Sequence, residues 1–315
     1  MNSIAINGIS NFALLFYTQV MGMSPELAGL ALFVATLWDA ISDPVMGTVT
    51  DHTNTRFGRR HPYMLVGGAV FSLAFMALWL IPDAFRGEDA LFMYLLVMNL
   101  VVKTGFTVFV VPYTALGFEM CKSYDDRARL QGIRYGFNMF VNIVTGGFAW
   151  VLFFPDGEAA DGTMIDGTKI EANYANMGIV LGLVTLALIV FCIVVTYKYA
   201  HLGPARKHAS AQSGVVTGLK AFFHDIRDVG SDKLVWFVFA FFGLAQFSML
   251  VVSQVQMFTY VEYMQFTAAE KTIVHTGGMV AFAFGSLVLG SLVRRMDKKK
   301  TGAIAMSIAS AGGLG

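Results

Sequence analysis

Two carboxylates four residues apart, set inside an apolar run, are the chemistry that stands out in this chain. The run reads Trp38-Asp39-Ala40-Ile41-Ser42-Asp43-Pro44. On a helix, Asp39 and Asp43 share one face, and Ser42 sits on its neighbouring edge. Asp39 falls about twelve residues into a membrane-length segment, near mid-depth. One acid at the centre of a membrane helix costs roughly 2.5–3.5 kcal/mol on insertion scales, and two on one face also repel. Such a pair persists only where a cation or proton neutralises it. Oxygen ligands of this kind suit Na⁺, or H⁺ when one acid is protonated. The structural alternative is an ion pair with a basic residue on another span, and Lys103 is the candidate. It lies about thirteen residues into its own segment, where it either pairs with an acid or loses its proton readily. Thr104 and Thr107 add oxygen atoms beside it, and Thr107 shares its helix face.

The elements that must hold these groups follow from composition. Of 315 residues, 56% are hydrophobic and only 14% are charged. A soluble globule of this size cannot cover its surface with so few charges, which excludes a soluble enzyme, a nucleic-acid binder and a disordered chain. The net charge of +1 gives no field that would attract a polyanion. Cys121 and Cys192 stand far apart with no CxxC spacing, so neither a disulfide nor a thiolate metal site is expected. No signal-peptide pattern precedes the first apolar run. Apolar runs of membrane length recur at roughly 4–21, 27–50, 62–81, 90–118, 131–154, 174–198, 233–258 and 271–293, and another begins near 301. Barrel strands would be short and alternating, so an all-α membrane protein is expected.

The loops alternate in charge. Arg56, Arg59 and Arg60 follow the second span, and Lys122, Arg127, Arg129 and Arg134 follow the fourth. Between these lie basic-poor loops, of which 155–173 carries Asp156, Glu158, Asp161, Asp166 and Glu171 against Lys169. The positive-inside rule then places the N-terminus in the cytoplasm of a multi-pass protein of the cell's inner membrane. The connector 199–232 divides a six-span half, 1–198, from an incomplete second half, 233–315. Within it, Val215, Leu219, Phe222, Phe223 and Ile226 recur at helical spacing, which predicts an amphipathic helix lying on the membrane surface or packed on the bundle ends. Gly47-Thr-Val-Thr-Asp51 before one basic cluster is echoed by Gly290-Ser-Leu-Val-Arg294 before another, as in folds built from repeats. Two six-span halves would need twelve spans, so the sequence reads as a fragment truncated at both ends.

The run Trp38-Asp39-Ala-Ile-Ser42-Asp43-Pro44-Val-Met-Gly47, with Asp51, Thr53, Arg56-Phe-Gly58-Arg59 and Pro62, resembles the glycoside–pentoside–hexuronide:cation symporters of the major facilitator superfamily. Pro112-Tyr113-Thr114-Ala115-Leu116-Gly117, followed by Glu119, Arg127 and Arg129, resembles the end of that family's fourth span. The resemblance implies two helical bundles, a central sugar cavity and alternating access. It implies that Asp39, Ser42, Asp43 and Thr107 form the cation site, that Arg134 lies at the sugar site, and that Gly47, Asp51, Arg56, Gly58 and Arg59 form a cytosolic gate. It also marks departures. Val110 stands where the family has an acidic sugar ligand, Thr114 replaces an aromatic residue, and the acid of span one would fall near Ser3. Melibiose is therefore not the expected substrate. Lys103 replaces a small residue beside the cation site, and its tethered ammonium could stand in for sodium or make proton transfer the coupling event.

Other residues carry weaker expectations. Asn7 and Asn11 on span one, and Asn138 and Asn142 on span five, either bond a polyol or join helices. Tyr17, Tyr113 and Tyr135 either contact a sugar or mark the interface belts. Gln246 and Gln254 pose the same choice. His275 reads as a hydrogen-bonded packing residue, with a proton relay as the alternative. No Walker loop, nucleophile elbow or HExxH pattern is present, so neither an enzyme nor an ATP-driven pump is expected, and no cofactor beyond the coupling ion. The expected activity is cation-coupled symport of a sugar or glycoside by a monomer in the bilayer. A lysolipid cargo and a non-transporting sensor or scaffold are the alternatives.

Overall fold

The computed structural model describes residues 2–53, 55–121, 123–158, 164–200, 233–267, 269–278, 280 and 281. The amphipathic segment expected within 199–232 and the echo at 290–294 lie essentially outside these residues, as do the end of the eighth span and the ninth. The chain folds into α1 (Asn2–Leu15), α2 (Pro25–His52), α3 (His61–Trp79), α4 (Glu88–Met120), α5 (Tyr124–Asn142), α6 (Ala149–Phe153), α7 (Glu171–Thr196) and α8 (Lys233–Phe258). Residues 269–278 are helical as well. Among the described residues, α2, α3, α4 and α7 are long and apolar enough to cross a membrane. Ile4–Val20 forms a shorter apolar helix. Among the described residues the fold is all-α, with one small exception. Gly157–Glu158 (β1) and Met164–Ile165 (β2) pair antiparallel in the acidic loop before α7.

Several helices pass through π-helical turns, at Phe16–Val20 after α1, Ile143–Gly147 between α5 and α6, and Thr259–Tyr263 after α8. The middle one joins α5 to α6, so they form a single interrupted span. That span starts earlier than hydropathy suggests. Ser123 caps α5 by accepting a hydrogen bond from the Asp126 amide at 3.1 Å, and the first two turns carry Asp125, Asp126, Arg127 and Arg129. The apolar run therefore ends before the helix does.

The core lies where α1, α3, α4, α6 and α7 meet. Phe12, Phe16, Phe75, Trp79, Trp150, Phe154 and Tyr174 are buried there, with Phe16 and Tyr174 ring centroids 4.7 Å apart. Tyr17 belongs to this packing, since its hydroxyl donates to the Leu78 carbonyl at 2.7 Å. Helices α3 and α4 cross very closely. A Cβ on Gly67 would lie 2.7 Å from the Phe109 amide nitrogen, and one on Gly105 would lie 2.7 Å from that of Phe71. Gly105 faces α3, so Lys103 and Thr107, on the other side of α4, face α2. The glycine crossing thereby fixes the rotation of the helix that completes the acidic site.

Candidate functional site

Helix α2 begins with Ser24 at its N-cap and Pro25 at the first helical position. Asp39 follows about 21 Å along an axis about 42 Å long, at 1.5 Å per residue. Leu37 and Ile41 point outward, while Asp39, Ser42 and Asp43 are half-buried against α4. Pro44 has no amide hydrogen, which deprives the Ala40 carbonyl of its helical partner beside both acids.

The structure brings all five expected residues together. The Lys103 ammonium donates to Asp39 Oδ2 at 2.9 Å. The Thr107 hydroxyl lies 2.7 Å from Asp43 Oδ1 and 3.2 Å from Asp39 Oδ1, bridging the two carboxylates. Ser42 Oγ is 3.2 Å from the same hydroxyl. Thr107 is buried, and Trp38 Nε1 donates to Thr104 Oγ1 at 2.9 Å on the flank of the site. Lys103 and Asp39 retain 20% and 22% side-chain exposure, so the pair is sheltered but reachable. Asp43 makes no ion pair among the described residues. Two carboxylates and one ammonium leave one surplus negative charge. The oxygens of Asp39, Ser42, Asp43 and Thr107 form a donor set that fits one small cation or one proton.

A second cluster lies at the end bearing the basic loops. Arg60 donates to Glu119 through Nε at 3.1 Å and Nη2 at 2.6 Å, and it reaches Asp51 at 3.5 Å. Arg59 also bonds Glu119. Gly58 has φ +89°, and a Cβ there would meet the Ala200 carbonyl oxygen at 2.3 Å, so only glycine fits between this loop and the end of α7. Arg56 lies apart, over the Phe57 ring at 4.9 Å, and Gly47 packs near Val111 on α4. Arg60 ends the loop expected to form the cytosolic gate, whereas Glu119 was not expected to be its partner. The available signal was Glu119, an acid in the last turn of α4 facing a strongly basic loop.

The expected substrate residues do not gather in one place. Asn7 donates to Asn142, which donates to Asn138 at 2.8 Å, so these amides tie α1 to α5. Asn11 is half-buried further along α1. The Arg134 guanidinium lies 5.1 Å from the centroid of the Tyr113 ring, which stacks on Phe109. Both Arg134 and Tyr113 line a cavity of about 450 Å³ between the ends of α4, α5 and α7, with Leu116, Met120, Arg129 and Cys192. Val110 and Thr114 are half-buried on α4 outside its lining, and Tyr135 is exposed.

The opposite end holds an ion pair that sequence reasoning missed. Lys271, 1% exposed, donates to Asp166 Oδ2 at 2.8 Å. Burial pushes the Asp166 carboxyl up, but the Lys271 ammonium and hydrogen bonds from Thr168 outweigh it and hold the group below the ordinary carboxylate range. His275 is buried, and neither ring nitrogen has a partner among the described residues, contrary to the hydrogen-bonded packing expected of it.

Residues 3–315 match the family model described as MFS/sugar transport protein. The chain belongs to that family. It is a multi-pass membrane protein of the major facilitator superfamily. Among its relatives, the uncharacterized symporter sll1374 of Synechocystis is 35% identical over 45% of this chain and 27% of its own length. A protein named as a glycoside/cation symporter, YagG of Escherichia coli, is 25% identical over 90% of this chain and 56% of its own length. The sodium-dependent lysophosphatidylcholine symporter 1 of Gallus gallus is 31% identical over 37% of this chain and 22% of its own length. The chain thus spans about half the length, or less, of these curated relatives.

Proposed function

We propose that this protein is a secondary active transporter that couples symport of a sugar or glycoside to a monovalent cation by alternating access. The carrying observation is the surplus negative charge at Asp39 and Asp43, bridged by Thr107 with Lys103 on one side only. Neutralising that charge favours the state that binds substrate, so loading one partner gates the other. Lys103 already occupies the position beside Asp39 that a sodium ion would neutralise, which favours a proton as the coupling species and leaves little dependence on Na⁺. The family description and the glycoside/cation relative support sugar as cargo. In this reading residues 1–198 form one six-span bundle, 199–232 the cytosolic connector and 233–315 the start of the second bundle. The N-terminus lies in the cytoplasm and the basic cluster around Glu119 is the cytosolic gate. The protein works as a monomer in the cell membrane.

A thermal-shift screen of neutral and acidic sugars on the purified protein, at pH 5.5 and 7.5 and with or without sodium, identifies a ligand. Uptake of that ligand into vesicles then tests coupling. Asp43→Asn is expected to reduce accumulation against a gradient at least tenfold while the protein still melts cooperatively. Undiminished accumulation in both Asp39→Asn and Asp43→Asn overturns the coupling role. Sodium stimulation with Lys103 intact overturns the preference for protons.

A further inference from the structure

Two ion pairs of opposite sense join the acidic loop before α7 to the segment after α8. Inside, Asp166 of the loop holds Lys271 at 2.8 Å. Outside, Lys169 of the loop lies 3.8 Å from Glu262. The partners of the inner pair are 105 residues apart and lie on either side of the connector.

Lys271 occupies an unfavourable place. Thr267 and Glu270 cap the helix that follows: the Thr267 amide donates to Glu270 Oε2 at 2.9 Å, and the Glu270 amide to Thr267 Oγ1 at 3.3 Å. A cation in the first turn opposes the helix dipole, and burying an ammonium costs several kcal/mol. Both penalties are offset by Asp166 and by the Trp150 ring, whose centroid lies 5.3 Å from the ammonium. The anionic side is rigidly built. Asp166 Oδ1 accepts from the Thr168 amide and hydroxyl at 2.8 and 2.7 Å, and the Gly167 amide donates to Asp156 at 3.0 Å. Tyr260 and Val261, next to Glu262 of the outer pair in the turn after α8, are buried.

A buried ion pair adds little stability over a packed apolar pair of similar size. It differs in what separation costs: parted charges regain hydration, whereas parted apolar surfaces do not. Charge therefore suits a contact that must repeatedly form and break. We propose that Asp166–Lys271, with Lys169–Glu262 at its rim, is a clasp that holds the acidic-loop end shut and opens once in each transport cycle. The clasp rests on the alternating-access reading above.

The test uses Val261→Cys in the whole protein, with Cys121→Ser and Cys192→Ser, labelled by a membrane-impermeant maleimide. Asp166→Asn keeps the loop's hydrogen-bond acceptor but leaves the buried ammonium unpaired, and it is expected to raise labelling at least fivefold. Asp166→Asn combined with Lys271→Met removes both charges and is expected to hold the end shut, with labelling below that of the parent. Equal labelling in parent, single and double variants overturns the clasp and makes the pair structural. Should the single variant fail to fold, the double variant decides alone, and labelling at or above the parent level overturns the proposal. Labelling needs neither substrate nor ion, so a failed sugar uptake experiment leaves this outcome readable.

Discussion

A lysine bonded to one of two paired acids changes what the pair can bind. With Lys103 on Asp39, a single negative charge is left for a cation or proton to neutralise. Without it, two charges remain around the Thr107 hydroxyl, and the site becomes a dianionic oxygen cage. Lys103→Ala is therefore expected to make sodium a ligand. Sodium chloride, compared with choline chloride, should raise its melting temperature by several degrees and leave the parent unchanged. Equal response of the two proteins counts against the ammonium acting as a built-in cation. The acids and their common face were legible in the sequence because spacing of four along a helix is a local property. The choice of Asp39 over Asp43 as the lysine's partner was not, since it depends on the axial register of α2 against α4.

At the scale of elements, the rotation that turns Lys103 and Thr107 toward α2 rests on the glycine crossing of α3 and α4. Gly105 stands between Lys103 and Thr107 in sequence but on the opposite side of the helix, against the Phe71 backbone. A methyl group there meets backbone atoms that have no rotamer to adopt. Gly105→Ala is expected to destabilise the fold by about 1–3 kcal/mol, a usual overpacking cost, and to weaken ligand binding as α4 moves off α2. Chemical denaturation and the ligand-induced thermal shift measure the two effects. A variant as stable as the parent, with unchanged ligand response, counts against the crossing as the positioning device. Element existence followed closely from hydropathy. The early start of α5 did not, because its Ser123-capped first turns are polar and project beyond the apolar run. The small β1–β2 pairing in the acidic loop likewise carried no periodic signal.

For the whole molecule, the acidic-loop end has a defined pH response. The Asp166 carboxyl titrates below its ordinary value, so it binds fewer protons in the closed clasp than when released. Closure is therefore favoured above the ordinary carboxylate range near 4, and that contribution is lost as pH falls through the lowered value. Lys271, Thr168, Tyr174 and the outer pair of Lys169 with Glu262 surround it. Spin labels on Met164→Cys and Tyr263→Cys, both exposed positions, report the distance between the segments. With His275→Gln to remove the other titratable group on that helix, the distance is expected to stay constant from pH 8 to 5 and to grow below about 4. Opening already between pH 7 and 5 contradicts the assignment to Asp166.

The sequence by itself determined the solvent, the helical class and the placement of two acids on one helix face. Each of these follows from composition or from the helical repeat, which act over a few residues. Tertiary structure alone decided which charges meet: Lys103 with Asp39, Arg60 with Glu119, and Lys271 with Asp166 across 105 residues. Those choices depend on the angle, rotation and sliding of one helix against another. They are set by the glycine contacts and aromatic packing of the interior, and no local pattern in the chain encodes them.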